Sequence, residues 1–186
     1  MAPLSPPPSG GEAQRYSRGR GDEQGQLQME GDSYPTTLVI GLGNPLRGDD
    51  GVGVRVIQVL ATQALPPDVQ LADGGTQGLG IINLMEGQQR VIVIDAADVG
   101  RAPGEFVRFA LDEARLLGDG QHLSVHAAGL RDALLLAQAL NVLPDEVVIF
   151  GVQPASLEWD DELSQEVEAT VPNLVAAVLA EIADSS

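Results

Sequence analysis

Four aspartates stand where an apolar run gives way to a turn. Asp49 and Asp50 follow the run Thr36–Gly41 across the loop Gly41-Leu-Gly-Asn-Pro-Leu-Arg-Gly48, Asp73 closes the run Val69–Asp73, and Asp95 closes Arg90–Asp95. One of the chain's two histidines, His126, lies in Ser124-Val-His-Ala-Ala-Gly-Leu. Carboxylates and an imidazole brought to one place form a mixed oxygen and nitrogen ligand set, which suits a borderline divalent ion such as Ni²⁺ or Zn²⁺. Each residue also has a purely structural reading. Asp49 or Asp50 at a helix start is an N-cap, Asp73 before Gly-Gly is a turn residue, and Ser124 is positioned to cap a helix containing His126. Asp95 is harder to dismiss, because it ends a fully apolar strand with no local need for a carboxylate. A His122–His126 helical pair is weakened by Gly120 and Leu123.

These positions gain meaning from the elements around them. Strand-like runs cover Thr36–Gly41, Val69–Asp73, Arg90–Asp95 and Glu146–Val152, all but the second apolar and rich in β-branched residues. Helical spacing recurs over residues 51–63, with Val52, Val56, Ile57 and Leu60 on one face. It recurs again around Gly78–Glu86, from about Val125 to Leu140, and from about Asp161 to Ala183, where Pro172 is expected to kink the helix. The short link through Gly100, Pro103 and Gly104 leaves no room for a helical crossover. Glu105–Ala110 is therefore expected as an antiparallel hairpin partner at the sheet edge. The alternation predicts an α/β fold, a three-layer α/β/α sandwich whose sheet is mostly parallel, about five-stranded, and carries one antiparallel edge strand. In such a sheet ligands bind outside the carboxyl ends of the strands. Asp50 and Asp95 converge there if strands one and three are neighbours.

Composition narrows the function. The chain has 186 residues, 44% of them apolar, enough for one sizeable core. It contains no cysteine and no lysine, all ten basic residues being arginine, so thiolate sites, cysteine nucleophiles, Schiff bases and a phosphate-loop lysine are excluded. A net charge of −17 argues against nucleic acid or an anionic membrane as partner and favours a basic protein surface. No apolar run approaches the ~18 residues of a membrane span, so the chain is expected to be cytoplasmic. Residues 1–33 hold Pro3, Pro6, Pro7 and Pro8, six glycines and few bulky apolar residues. They are expected as a disordered Pro/Gly-rich extension, with residues 34–186 as a single α/β domain.

Three other chemistries fail on physical grounds. The Gly-x-Ser-x-Gly elbow of serine hydrolases is absent, and Ser124 near His126 has no third group to orient it. Gly41-x-Gly43 after a strand, with Asp73 ending the next, mimics part of a dinucleotide fingerprint. The third glycine position is Leu46, however, and Asp49-Asp50 would repel a pyrophosphate at the helix start. Gly-Leu-Gly-Asn-Pro also resembles the opening of peptidyl-tRNA hydrolases, but their His-Asn-x-Gly element is missing and the charge is wrong for tRNA.

The segment Gly41-Leu-Gly-Asn-Pro-Leu-Arg-Gly-Asp-Asp-Gly-Val-Gly53 resembles the N-terminal signature of the hydrogenase maturation proteases. The likeness continues through Asp73-Gly-Gly-Thr76, Val91-Ile-Val-Ile-Asp95, Ser124-Val-His126 and Gly151-Val-Gln-Pro154, and so spans about residues 36–183. The resemblance implies an endopeptidase that removes the C-terminal extension of a NiFe-hydrogenase large-subunit precursor after nickel insertion. It implies that Asp50, Asp95 and His126 are metal ligands, catalytic through the bound metal, with nickel carried by the precursor rather than held at rest. Asp49 matches a recurrent position read as a loop or cap residue. Asp73, Gly74, Gly75 and Thr76 match a turn bordering the cleft, with a substrate-contact role. The implied partner is the precursor, and a monomer is the expected state. The rival is a non-catalytic acidic chaperone or nickel-carrier module docking on a hydrogenase subunit. A free-standing metallohydrolase for small substrates is a further alternative.

Overall fold

The structure, a computed structural model, describes residues 37–111, 124–125 and 129–184. The expectations for residues 1–33 and for His122 and His126 fall outside the described residues. Among the described residues no helix is long and apolar enough to cross a membrane.

The strands are β1 (Thr37–Leu42), β2 (Val69–Gly75), β3 (Arg90–Asp98), β4 (Phe106–Ala110), β5 (Ser124–Val125) and β6 (Glu146–Val152). The α-helices are α1 (Val52–Leu60), α2 (Ile82–Met85), α3 (Leu130–Ala139) and α4 (Gln165–Ala183), with 3-10 turns at Gly48–Gly51 and Gly78–Ile81. The main sheet runs β2–β1–β3–β6–β4, and β5 pairs antiparallel with the end of β3. The β1–β2, β1–β3 and β3–β6 pairs are parallel, and β4 pairs antiparallel with β6.

Side-chain alternation along the strands divides the core in two. Val39, Ile92, Ile94, Val148 and Phe150 pack with Val56 and Leu60 of α1 and with Val171, Leu174 and Val178 of α4. Leu38, Ile40, Val91, Val93, Val147 and Ile149 pack on the opposite face with Ile81, Met85, Leu130 and Leu134. With helices on both faces, the central strands are apolar at nearly every position, which is why they read as continuous hydrophobic runs. The predicted three-layer α/β/α sandwich with one antiparallel edge strand is the fold observed.

Several expectations need correction. β4 is an antiparallel edge strand, but its partner is β6, not β3. β6 takes the place beside β3 because the two strands pair in parallel from Arg90↔Glu146 to Ala96↔Val152, burying two apolar strands at the sheet centre. The half-exposed β4 is left outside. The helix expected from Val125 begins only at Leu130. Gly129, at φ 141°, breaks the helical path, and Ser124–Val125 lies in a strand, so Ser124 is no helix cap. Residues 78–86 split into a 3-10 turn and a single α-turn, with Gly78 at φ 54°. The final helix starts at Gln165 rather than Asp161, where the Ser164 hydroxyl accepts the Val167 N–H at 3.3 Å. It continues through Pro172 as one helix.

Candidate active site

The chain passes from β1 to β2 on one side of the sheet and later returns to β3 on the other. Neighbouring β1 and β3 thus form the point where the winding reverses, and the crevice beyond their carboxyl ends is where such sheets bind ligands. Asp50 leaves the β1 side of this crevice and Asp95 the β3 side.

Asp50 is fixed by a tight backbone path. Gly43 turns at φ 111°, a conformation side chains rarely adopt, and a Cβ there would overlap the Asp50 carbonyl. Asp50 Oδ2 accepts the Asn44 N–H at 2.8 Å, and Asn44 Oδ1 accepts the Leu46 N–H at 3.0 Å. One residue into α1, Gly53 lies against the strand ends so closely that a Cβ would overlap the carbonyls of Leu42 and Ile94. That approach brings the start of α1, and Asp50 with it, to the residue just before Asp95. Neither aspartate caps a helix. Arg47 and Gly51 occupy the cap positions, and neither makes a side-chain cap bond.

Asp95 shares the strand parity of Val91 and Val93 and so points to the α2/α3 side of the sheet. It is fully buried, and neither carboxyl oxygen has a hydrogen-bond partner. Burial pushes its pKa up to about 8, and the Asp50 carboxylate pushes the same way. The Ala96 N–H offsets part of this without closing a hydrogen bond of ordinary geometry. At neutral pH Asp95 therefore holds a proton in the field of the Asp50 carboxylate. Two buried oxygens without donors beside a second carboxylate are costly on their own, and a divalent metal would satisfy them.

A cavity of about 330 Å³ opens here, lined by Asn44, Arg47, Asp50, Gly75, Thr76 and Leu130 among others. Of the turn Asp73–Thr76, only Gly75 and Thr76 reach this wall. Asp73 is exposed and accepts the Gly75 N–H at 2.9 Å, the turn role its sequence allows, and Gly74 is buried. His126 lies outside the described residues; it is the residue after Val125, whose register partner Ala97 is two positions beyond Asp95.

Sequence reasoning undervalued Asp49. Its carboxylate, 1% exposed, accepts the N–H groups of Ala155 at 2.8 Å and Ser156 at 3.0 Å through Oδ2, and that of Ser164 at 2.7 Å through Oδ1. It thereby ties the turn carrying Asp50 to the β6–α4 loop. The donors lie more than a hundred residues away in the chain, so no local signal distinguishes this from a cap.

Residues 54–181 match the HycI family of hydrogenase maturation proteases. The chain belongs to this family, and it is a peptidase. It is 37% identical over 154 residues to the hydrogenase expression/formation protein HupM of Azotobacter chroococcum, a match covering 82% of this chain and 74% of that one. It is 33% identical over 150 residues to the hydrogenase 2 maturation protease of Escherichia coli, covering 80% and 91%. Among solved structures, the hydrogenase maturating endopeptidase HybD from E. coli superposes with a TM-score of 0.71 at 33% identity, over 81% of this chain and 93% of that one. The chain has no cysteine, and in the structure Asp50 lines the cavity while Asp95 is buried in its field.

Proposed function

We propose that this protease cleaves the C-terminal extension from a NiFe-hydrogenase large-subunit precursor once nickel has been inserted. The relatives' names, which speak of hydrogenase maturation, support a hydrogenase subunit as the substrate class. The observation that carries the site is Asp95: a buried carboxyl without hydrogen-bond partners, facing a second carboxylate at the sheet's switch point. A metal carried on the substrate supplies the missing positive charge. Asp50 and Asp95 would offer it oxygens and His126 a nitrogen. On meeting that metal, Asp95 gives up the proton it holds at rest, because a neighbouring dication favours the charged carboxylate.

Asp50 keeps one oxygen on the Asn44 N–H, which fixes the carboxylate's orientation. Gly75 and Thr76 line the wall along which the extension lies. Hydrolysis adds water across one peptide bond: the hydroxyl goes to the carbonyl carbon, the proton to the amide nitrogen. The mature subunit gains a carboxylate terminus and a free peptide leaves.

The test compares intact masses of purified precursor, nickel-loaded and nickel-free, after incubation with the protein. Loss of one C-terminal peptide from the nickel-loaded form alone is expected. Cleavage of both forms would remove metal-guided recognition, and cleavage of neither would overturn the reading.

A further inference from the structure

The β6–α4 loop combines dense hydrogen bonding with exposed side chains. Besides the Asp49 bonds to Ala155, Ser156 and Ser164, the Gly48 N–H donates to the Asp160 carbonyl at 2.8 Å and the Asp160 N–H to the Leu46 carbonyl at 3.2 Å. Arg47 donates to the Leu157 carbonyl at 3.0 Å, and the Glu158 N–H donates to the Ser156 hydroxyl at 3.3 Å. Upon this ordered platform stands Trp159, the chain's single tryptophan, 77% exposed, with the Arg47 guanidinium 6.0 Å from its ring centre. Leu46, on the strand-one loop bonded to it, is 57% exposed. A large aromatic left in water on a preorganised loop needs an explanation, because tryptophan and arginine dominate interface hot spots and ordering the loop in advance lowers the entropy lost on binding.

The position and charge of the patch identify its occupant. Arg47 and Leu157 also line the cavity that holds Asp50, so Trp159, beside the Arg47 guanidinium, adjoins the wall of the candidate active site without lining it. Glu158, Asp160, Asp161 and Glu162 surround it, all exposed, within a chain of net charge −17. An apolar knob ringed by carboxylates fits a surface that offers an apolar pocket rimmed by arginine or lysine.

We infer that Leu46 and Trp159, with the acids at 158–162, form a docking site for a basic, apolar-bearing surface on the body of the large-subunit precursor, outside the segment that is cut. This rests on the reading of the protein as a precursor-processing protease. Contact away from the scissile bond holds ground state and transition state alike, so its loss raises KM and leaves kcat.

Two measurements test it. In kinetics on the nickel-loaded precursor, Trp159→Ala and Leu46→Ser are expected to raise KM, the tryptophan variant by roughly thirtyfold as for an interface hot spot, with kcat unchanged. The combination Glu158→Gln, Asp161→Asn, Glu162→Gln is expected to raise KM and flatten its dependence on salt; an unaltered salt dependence would overturn the basic character of the partner surface. Separately, 5-fluorotryptophan incorporated into the full chain gives a single ¹⁹F resonance. It is expected to move when precursor is added to the Asp50→Asn protein and to return at high salt.

A resonance unmoved by precursor, while wild-type protein still cleaves it, overturns the docking site and leaves the protease reading intact. A resonance that moves without any cleavage by wild type upholds docking and overturns the protease reading. Neither shift nor cleavage overturns both. If the resonance of the chain alone moves on dilution, a second copy occupies the patch and the inference fails. If Arg15→Ser, Arg18→Ser and Arg20→Ser together move it in the absence of precursor, the occupant is the chain's own N-terminal segment, and the inference fails equally.

Discussion

The carboxyl of Asp95, closed off from solvent within β3, lies in the field of the Asp50 carboxylate. Burial is the larger cause of its raised pKa and the Asp50 charge the second, so Asp95 keeps a proton at neutral pH that an isolated aspartate would have lost. The burial and the like charge that raise this pKa therefore cost the folded protein stability.

That relationship sets a pH dependence. Between the unfolded value of 3.8 and about 8, the folded chain keeps a proton on Asp95 that the unfolded chain releases. Stability contributed by this group therefore falls as pH rises across that window and levels off above it. Asp95→Asn removes this slope and leaves the protein more stable than wild type at pH 9, while precursor processing is lost. Urea unfolding of both proteins at pH 5, 7 and 9 checks it; parallel pH profiles would contradict the burial argument.

Asp50→Asn retains the shape of the side chain and an oxygen for the Asn44 N–H. The fold is expected to survive, with an unchanged circular dichroism spectrum and a melting temperature close to wild type. Processing of a nickel-loaded precursor is expected to fall by at least about a hundredfold, the scale of losing a positioned acid–base or ligand group. Normal processing by this variant would refute the site assignment.

Asp49→Ala strands three N–H donors, those of Ala155, Ser156 and Ser164. With their acceptor gone, the loss is expected to be about 3 kcal/mol. Hydrogen exchange at those three amides should accelerate beyond the change in global stability, because the loop is released from the turn that carries Asp50. Uniform acceleration across the sheet would mean that the carboxylate stabilises the fold without holding the loop.

Gly53→Ala places a methyl group on the carbonyls of Leu42 and Ile94. Either the helix start shifts or the strand ends move apart, at a cost of about 2 kcal/mol. The separation of Asp50 from Asp95 changes with it, so processing should fall by much more than stability alone explains, an ångström of misplacement being worth up to about a hundredfold. Activity measured well below the melting temperature separates the two effects.

Away from the site, Arg90 is buried and bonded to both Glu181 and Glu146, while Arg108 donates to Glu181 Oε2 at 2.6 Å. The hydrogen bond from Arg108 is the main cause that holds the Glu181 carboxyl below its usual range, against the opposing effect of burial. Its stabilisation is present above the ordinary glutamate value and lost as pH falls through the lowered one. Glu181→Gln is expected to cost about 3 kcal/mol at pH 7, or roughly 6–12 °C in Tm for a domain of this size, with less loss at acid pH. Processing kinetics below the melting temperature should be unaltered, since this network has no part in the cavity.

The sequence alone determined the alternation of apolar strands and amphipathic helices, because a doubly covered sheet demands β-branched runs and each helix needs one apolar stripe. Glu146–Val152 reads with its bounds unchanged for that reason. It also singled out Asp50 and Asp95, since an acid following an apolar run is visible in one dimension, but β3 runs on to Asp98 with Asp95 inside it, and Asp50 lies in the 3-10 turn beyond β1. The tertiary structure alone decided that β6 separates β3 from β4, because strand order depends on which pairing buries more apolar surface, not on which strands are close in the chain. It also decided that Asp49 clamps a loop from the other end of the chain, and that Trp159 is left in water rather than buried. A side chain's type states what bonds it can make; only the packed chain supplies the donors, the neighbours and the solvent that determine which of them it makes.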